Sequence, residues 1–520
     1  MKRKIPATLV ALALCLATAL SAGAQTKGLV DVELWALQAV TEAGPPPADW
    51  VGYQIIRDKL GINLKLVLQP SSFTDQDTKI SVSAASNSLP DLFGVNRDML
   101  MKIARQGLVA PVDNLLPLMP IRTRTHYSDA GRNRLVTLQG KMYGLPDPGA
   151  MDRVEGVVIR KDWLDKLGLP VPKTLDDLYK VAQAFTTKDP DGNGKDDTYG
   201  FGAFFESSGL SSAGFGRRFD YILGAFGVPG VWNFESAAKF QFNFRDPAFR
   251  DAVEFIKKVN AEKIIDPSWS APNKDEFRAR WKQGKFGIMW EQFAALATKA
   301  NYKDFDANFP NGEWIAINPP TGPKGYSSNG LDIAQARIYA VSQKAVKAGK
   351  GPAIAKLLEW MATDEGYYLC GFGVEGVNYK KDAKGFITMD GISPDNAYTA
   401  KAMQPLTQLR NMVYINNDIE LAVRYPTYKS ANGKLMDPLA FWKFFKNSPY
   451  TEATGAGFID PPTNVNDFKR FYEENLLKFA LGQTELNDKT WGDFVKGMDA
   501  LGAKDIEKTA KAKLVDAGLL

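Results

Sequence analysis

Cysteine and histidine are almost missing from this chain: Cys15, Cys370 and a lone His126 in 520 residues. One histidine excludes H-E-x-x-H and multi-histidine zinc centres. A Ser-His-Asp triad would have to use His126, which lies in the polar run Thr123-Arg124-Thr125-His126-Tyr127-Ser128 with no nucleophile elbow elsewhere; a surface histidine is expected. No basic tract is present, which argues against a nucleic-acid partner. The longest apolar stretch, Ile5 to Leu20, is roughly 16 residues and falls short of the ~20 needed to span a bilayer. Internal repeats and low-complexity runs are absent as well.

The first residues compensate for none of this but set the expected compartment. Met1-Lys2-Arg3-Lys4 is a charged start, Ile5 to Leu20 an apolar stretch, and Ala22-Gly23-Ala24 a small-residue cleavage site. Residues 1–24 are therefore expected to be an export signal peptide, and the protein to work in the periplasm or cell envelope. Lipid anchoring at Cys15 is the weaker alternative, because Leu14 is bulkier than such sites take and apolar residues continue beyond it. Loss of Lys2, Arg3 and Lys4 with the signal lowers the formal charge from +5 to +2. Cys370 is then left without an intrachain partner, so core size rather than disulfides must hold the fold.

With 45% hydrophobic and 24% charged residues, the chain is globular and long enough for two or more domains. Strand patterns at Val30–Trp35, Ile62–Leu68 and Pro90–Val95 alternate with helical ones at Asp49–Leu60 and Phe73–Ser86, which implies a parallel α/β layer. The breaker run Gly144–Gly149 is read as a first crossing between lobes, and Asn318–Gly325 as the return. Between them, Val154–Arg160, Tyr199–Phe205 and Phe286–Trp290 read as strands. Thr174-Leu175-Asp176-Asp177 is a capping box opening a helix with Leu175, Leu178, Ala182 and Phe185 on one face. A helix is expected over Ala353–Tyr367, and an almost wholly helical tail beyond Val465.

Gly371-Phe372-Gly373-Val374-Glu375-Gly376 matches G-x-G-x-x-G formally, but it follows a helix, and nothing places its glycines at a helix N-terminus; dinucleotide binding is rejected. Paired carboxylates for glycoside hydrolysis carry no fixed spacing and are not decided by sequence. Trp35, Phe205 and Trp290 stand at expected strand ends, where rings can stack on the C–H faces of sugars. Neighbouring Asn96, Arg97, Asp98, Glu206, Glu291 and Gln292 are candidates for hydroxyl groups. Arg217-Arg218 hints at an acidic sugar, but two arginines on a solvated face are the expected reading. In Asp189-Pro190-Asp191-Gly192-Asn193-Gly194-Lys195-Asp196-Asp197, oxygen donors fall at positions 1, 3, 5, 7 and 9 of a calcium loop with glycine at 6. Position 12 is Gly200, where a helix-loop-helix sensor has glutamate. A solvated Pro/Gly/Asn turn is the alternative.

Several stretches resemble family 1 extracellular solute-binding proteins, the ligand receptors of carbohydrate ABC importers. They are Gly140–Pro146, the run Val157–Phe201 and Gly371–Tyr379. The long subgroup with alginate-oligosaccharide-binding and LipO-like members is the most similar. The resemblance implies an α/β two-lobe flytrap with several hinge crossings and a helical C-terminal region. Its lobes would be 25–150 with 325–379, and 151–324 with 380–520. It implies an oligosaccharide ligand, membrane permease subunits as partners, a monomer and no catalysis. Trp35, Asn96, Arg97, Asp98, Glu155, Phe205, Glu206, Ser207, Trp290, Glu291, Gln292 and Trp442 would line the sugar site. Asp189, Asp191, Asn193, Lys195 and Asp197 would hold a structural calcium, with Thr198 standing where relatives often have an acid. An exported glycan lyase or hydrolase, or a receptor for another solute, is the alternative.

Overall fold

The structure is a computed structural model that describes residues 28–37, 45–70, 73–148, 154–205, 216–271, 274–332, 336–383, 385–413, 421, 425–459, 464–516 and 518–520. The expected signal segment with Cys15, and the candidates Glu206 and Ser207, lie outside the described residues. No described helix is long and apolar enough to cross a membrane.

The strands of the two main sheets are β1 (Val30–Ala36), β2 (Ile62–Leu68), β3 (Leu92–Val95), β4 (Leu145–Pro148), β5 (Glu155–Arg160), β6 (Tyr199–Gly202), β7 (Phe286–Gln292), β8 (Trp314–Ala316) and β9 (Ala336–Val341). The first sheet is five-stranded in the order β2-β1-β3-β9-β4, and the second four-stranded in the order β8-β5-β7-β6. β1, β2 and β3 run parallel, whereas β9 is antiparallel to both β3 and β4. In the second sheet β6 and β7 are parallel, with β5 antiparallel to β7. β7 is covered on both faces, and its near-continuous apolar run Phe286–Trp290 is what such a strand requires.

Local chemistry sets the ends of the flanking helices. Gly61, at φ 70°, closes helix Val51–Leu60 in the left-handed conformation that residues with a Cβ avoid. The Thr174/Asp177 capping box forms, and Leu175, Leu178, Ala182 and Phe185 of helix Leu175–Thr187 are buried. The helix expected over Ala353–Tyr367 is two helices, Gly351–Met361 and Asp364–Phe372. The Thr363 side chain accepts from the Gly366 amide and starts the second one. Gly371 lies in that second helix, which ends at Gly373, φ 88°; no helix N-terminus follows to receive a pyrophosphate.

The first sheet ends inside the first breaker run, whereas the second run does not return the chain to it. Gly144–Gly149 contains β4, an edge strand in which Pro146 pairs with Ile338 and Pro148 with Ala336. Proline is tolerated there because an edge strand can leave donor positions unused. Asn318–Gly325 stays in the second lobe: Thr321 bridges Thr174, and a Cβ on Gly322 would lie 1.7 Å from the Ala225 carbonyl oxygen. Leu331–Asp332 still pairs with Thr451–Glu452 in the second lobe, and Ala336 already pairs with Pro148 in the first sheet. The lobe change expected at residue 380 also moves. Ile387, Leu406, Leu409 and Met412 share a core with Val32 and Leu34 of β1, whereas Leu421 and Trp442 pack with Phe293 and Trp314. Burial of these apolar residues therefore keeps 380–413 in the first lobe. The tail is helical as expected, at Val465–Ala480, Asp488–Ala500 and Ala503–Asp516, and buries Phe468, Leu476 and Phe494 against Phe249 and Val253.

One buried ion pair ties the ends of the first lobe together. Arg122 and Asp147 are 0% and 1% exposed, and one guanidinium nitrogen donates to both carboxylate oxygens at 2.7 and 2.8 Å. The same nitrogen reaches the Met412 carbonyl at 2.8 Å, and Arg122 Nε donates to the Tyr127 hydroxyl at 2.6 Å. Burial works against charge on the guanidinium, and the Asp147 carboxylate raises it back above its ordinary value. Glu359 caps the helix that carries Arg122 by accepting from the Ile121 and Arg122 amides.

His126, expected at the surface, is 2% exposed at the end of helix Pro120–His126, with its Nδ1 2.7 Å from Thr125 Oγ1. Burial, reinforced by the Arg122 charge, pushes its pKa down to about 2.

Two outcomes follow. Because the folded-state pKa of His126 lies below the unfolded value of about 6.5, the unfolded chain takes up the extra proton. Stability is then undiminished above that pH and falls, as pH drops, by up to ~1.4 kcal/mol per unit from this group. Urea titrations at pH 7 and pH 5 should show that increment in the wild type and not in His126→Gln. Asp147→Ala, which strands a buried guanidinium, should lower urea stability by about 3–5 kcal/mol; a loss below 1 kcal/mol would mean the pair does not anchor the lobe.

Candidate functional site

Strand direction locates the site. Pro148, at the carboxyl end of β4, pairs beside the first residue of β9, which in turn starts next to the carboxyl end of β3. Glu155, at the start of β5, pairs with Gln292 at the carboxyl end of β7. The chain thus leaves β4 at the carboxyl edge of one sheet and enters β5 at the carboxyl edge of the other. Open α/β sheets bind ligands outside these edges. The two edges together make a cleft with one wall from each lobe.

The first wall carries Trp35 at the end of β1. Its indole donates to Glu33 Oε1 at 3.1 Å, and the Lys79 ammonium stands 4.1 Å from the ring centre. Lys79 comes from helix Phe73–Ala85, and burial lowers its pKa against the pull of Glu33. Asn96 caps helix Arg97–Arg105: its Oδ1 accepts from the Met99 amide at 2.8 Å, while its Nδ2 donates to Asp77 Oδ1. The structure thus gives Asn96 a structural task. Arg97 lies over the Phe458 ring at 4.5 Å and reaches Asp98 at 3.3 Å, and Asp98 is exposed.

On the second wall, Glu155 is half-buried and lies 3.6 Å from Arg217. Glu291 is fully buried: Arg218 reaches it at 3.2 Å, Arg278 at 3.1 and 3.3 Å, and the Gln292 amide at 2.8 Å. Arg218 is itself buried, 4.8 Å over Phe204 and 4.9 Å over Trp290, so the expectation of a solvated arginine pair is corrected for Arg218, while the Arg217 side chain stays 43% exposed. Trp290 donates to the Asn329 carbonyl at 3.1 Å and is 3% exposed; Phe205 is 5% exposed. Both are wall packing rather than open platforms. Gln292 stays half-buried at the N-cap of a short helix, and Trp442 packs in the peripheral core of this lobe. Trp35, 8% exposed, packs in a core as Trp290 and Phe205 do, which leaves Arg97, Asp98, Glu155 and Gln292 as sequence candidates with open surface at these edges. Lys79, Asp77 and Arg278 escaped sequence reading, because each sits inside a helix with no local pattern to mark it.

The oxygen-rich loop joins helix Leu175–Thr187 to β6, and Asp189, Gly192 and Gly194 all have positive φ. Asp189 accepts from the amides of Gly192, Asn193 and Gly194 at 3.0, 3.1 and 3.0 Å. The Asn193 amide group bridges Asp191 and Asp197 at 2.8 and 3.1 Å, and Lys285 pairs with Asp197 at 2.7 Å. Burial, with Asp189 and Asp197 close by, holds the Asp191 carboxyl above its usual range. Thr198, in place of an acid, turns inward and donates to the Phe185 carbonyl at 2.8 Å. Among the described residues no group of three or more Asp, Glu, His or Cys side chains gathers closely enough to hold a metal.

Comparison with known proteins gives this cleft a family. The polygalacturonan/rhamnogalacturonan-binding protein YtcQ of Bacillus subtilis is 28% identical over 317 residues, covering 59% of each chain. This chain thus spans about three-fifths of the length of that curated relative. Among solved structures, alginate-binding protein AlgQ2 without calcium ion superposes with a TM-score of 0.60 at 18% identity, over 94% of this chain and 98% of that one. An EF-hand mutant of the substrate-binding protein FusA of Streptococcus pneumoniae, in complex with fructo-nystose, gives 0.59 at 18%, over 93% and 98%. At such identities the structures establish the shared two-lobe fold. The profile of bacterial extracellular solute-binding proteins matches residues 58–368, well over half of the chain. This protein belongs to the bacterial extracellular solute-binding protein family.

Proposed function

We propose that this chain is an extracytoplasmic receptor that captures an oligosaccharide between its two lobes and presents it to the membrane permease of an ABC importer. The observation that carries the reading is the pair of carboxyl edges that the chain joins, with the partly exposed Arg97 and Asp98 at one and Glu155 and Gln292 at the other. Charged and amide groups at both edges suit sugars, whose hydroxyls take hydrogen bonds from both sides. Relatives named for polygalacturonan and fructo-nystose support the ligand class. Binding needs no covalent chemistry. A ligand that touches both walls interacts more with the closed arrangement, and that difference in affinity drives closure. Export by the segment 1–24, a soluble periplasmic life and a monomeric state complete the proposal.

Calcium belongs to the same proposal. The donor set of Asp189, Asp191, Asn193 and Asp197 side chains with the Lys195 carbonyl suits a hard cation. Burial, together with the neighbouring Asp189 and Asp197, raises Asp191, and a divalent ion would offset both. Bound there, it would brace the junction between helix Leu175–Thr187 and β6, away from the cleft.

Calorimetry with trigalacturonate and kestose, alongside product analysis, checks the receptor. Stoichiometric binding without turnover is expected for at least one of the two, with Arg97→Ala weakening it about tenfold, or ~1.4 kcal/mol. Release of shortened or unsaturated sugars would make it an enzyme instead. For the loop, calcium at 100 times its Kd should add ~2.7 kcal/mol of stability. The melting temperature should rise accordingly in the wild type and stay put in Asp189→Ala. An unchanged melting temperature with calcium or EDTA would leave an ordinary turn.

A further inference from the structure

A groove of about 340 Å³ opens at the border of the second sheet, between β8 and the stretch 428–446. β8 is the border strand, and it pairs Trp314 with Arg160 and Ala316 with Val158. The groove therefore flanks the half of β5 away from Glu155, and so away from the cleft. The stretch is a hairpin, Tyr428–Lys429 against Leu435–Met436, followed by helix Pro438–Lys446. The Tyr428 hydroxyl holds the hairpin by donating to the Ala297 carbonyl at 2.9 Å, and the Ala431 amide donates to Asp306 Oδ2 at 2.7 Å.

The lining is apolar and open. Leu435 is 65% exposed and Phe444 38%, with Ile315, Met436 and Phe441 beside them in the groove. Large apolar side chains left together in water mark an interaction surface. The charges around them select the partner. The stretch 428–446 carries four lysines, Lys429, Lys434, Lys443 and Lys446, against one acid, Asp437. That acid is engaged in the helix cap, where its Oδ1 accepts from the Leu439 amide at 2.9 Å. Glu313, the other acid of the lining, is paired with Lys434. Lys429 stands directly opposite Leu435 in the hairpin, which puts both side chains on one face, and Lys443 precedes Phe444 on the helix. Both lysines are exposed, and among the described residues neither has a carboxylate partner. Protein interfaces are depleted in lysine, whereas an anionic bilayer attracts it: the ammonium reaches headgroup phosphates while apolar neighbours enter the acyl boundary.

We infer that this groove and its lysines form a docking surface for a membrane that contains anionic lipids, with Leu435 and Phe444 entering the acyl boundary and Lys429, Lys434 and Lys443 set among the headgroup phosphates. Contact of this kind is reversible, and it leaves the cleft free at the other end of β5. The inference does not rest on the sugar reading of the cleft.

Flotation with protein-free vesicles tests it, on the chain without residues 1–24, whose apolar stretch would bind lipid by itself. Vesicles of phosphatidylglycerol and phosphatidylethanolamine are expected to bind the protein at least about tenfold more tightly than phosphatidylcholine vesicles, and binding should fall as salt screens the exposed charges. Leu435→Asp, and separately the pair Lys429→Glu with Lys443→Glu, should each weaken binding to the anionic vesicles at least about tenfold with the melting temperature unchanged. All three positions are exposed, so these variants fold. Failure to float with either vesicle would overturn the inference, and is the result a protein-docking groove would give. Equal binding to both lipids, or a Leu435→Asp protein that floats like the wild type, would overturn it as well.

Discussion

The buried contact between Arg122 and Asp147 is the constraint on which the first lobe, and through it the cleft, depends. Asp147 lies one residue before the end of β4, where the chain leaves for the second lobe. Met412, whose carbonyl the same guanidinium nitrogen holds, lies one residue before the end of helix Thr407–Val413, where the chain leaves again. Arg337, at the start of β9, reaches the Asn411 carbonyl at 3.4 Å. One planar donor thus gathers two exits, with the return strand beside them. A lysine cannot replace it, because a point charge cannot serve a carboxylate, a carbonyl and a phenol in fixed directions.

Much of the fold was legible in the sequence because its signals are local. β1 and β2 alternate, Gly61 and Gly168 stop helices, and Thr174 with Asp177 forms the capping box. What failed was what local signals do not encode. Proline and glycine around Pro146 read as a break, yet an edge strand accepts them. His126 looked exposed among polar neighbours, but Arg122 beside it is itself drawn into the core by an acid 25 residues further on. The lobe boundary at residue 380 was misplaced because Leu406, Leu409 and Met412 declare their lobe only through the core they join.

The candidate site was less legible for the same reason. Strand ends were found, but direction of pairing decides which side chains face the open edge. Trp290 and Glu291 occupy a strand end and are nevertheless enclosed, the carboxylate neutralised by Arg218 and Arg278 from separate segments. Burying a carboxylate between two guanidinium groups keeps the wall's charge fixed in place while its aromatic residues pack behind it. The wall is a rigid surface, not a set of free side chains. The oxygen-rich loop shows the opposite case: its spacing was plain in the sequence, and its backbone has the positive-φ turns that wrap a chain around its own carboxylates.

The prolines of β4 have a consequence outside the monomer. β4 forms one border of the first sheet, and a border strand normally presents a row of amide donors and carbonyl acceptors that another chain can extend. Pro146 and Pro148 have no amide hydrogen to offer, so a strand arriving from a neighbouring copy meets an interrupted row. The same residues that read as a break in the chain make that border a poor template for aggregation, which matters for a protein with no disulfide among its described residues to hold its sheets closed.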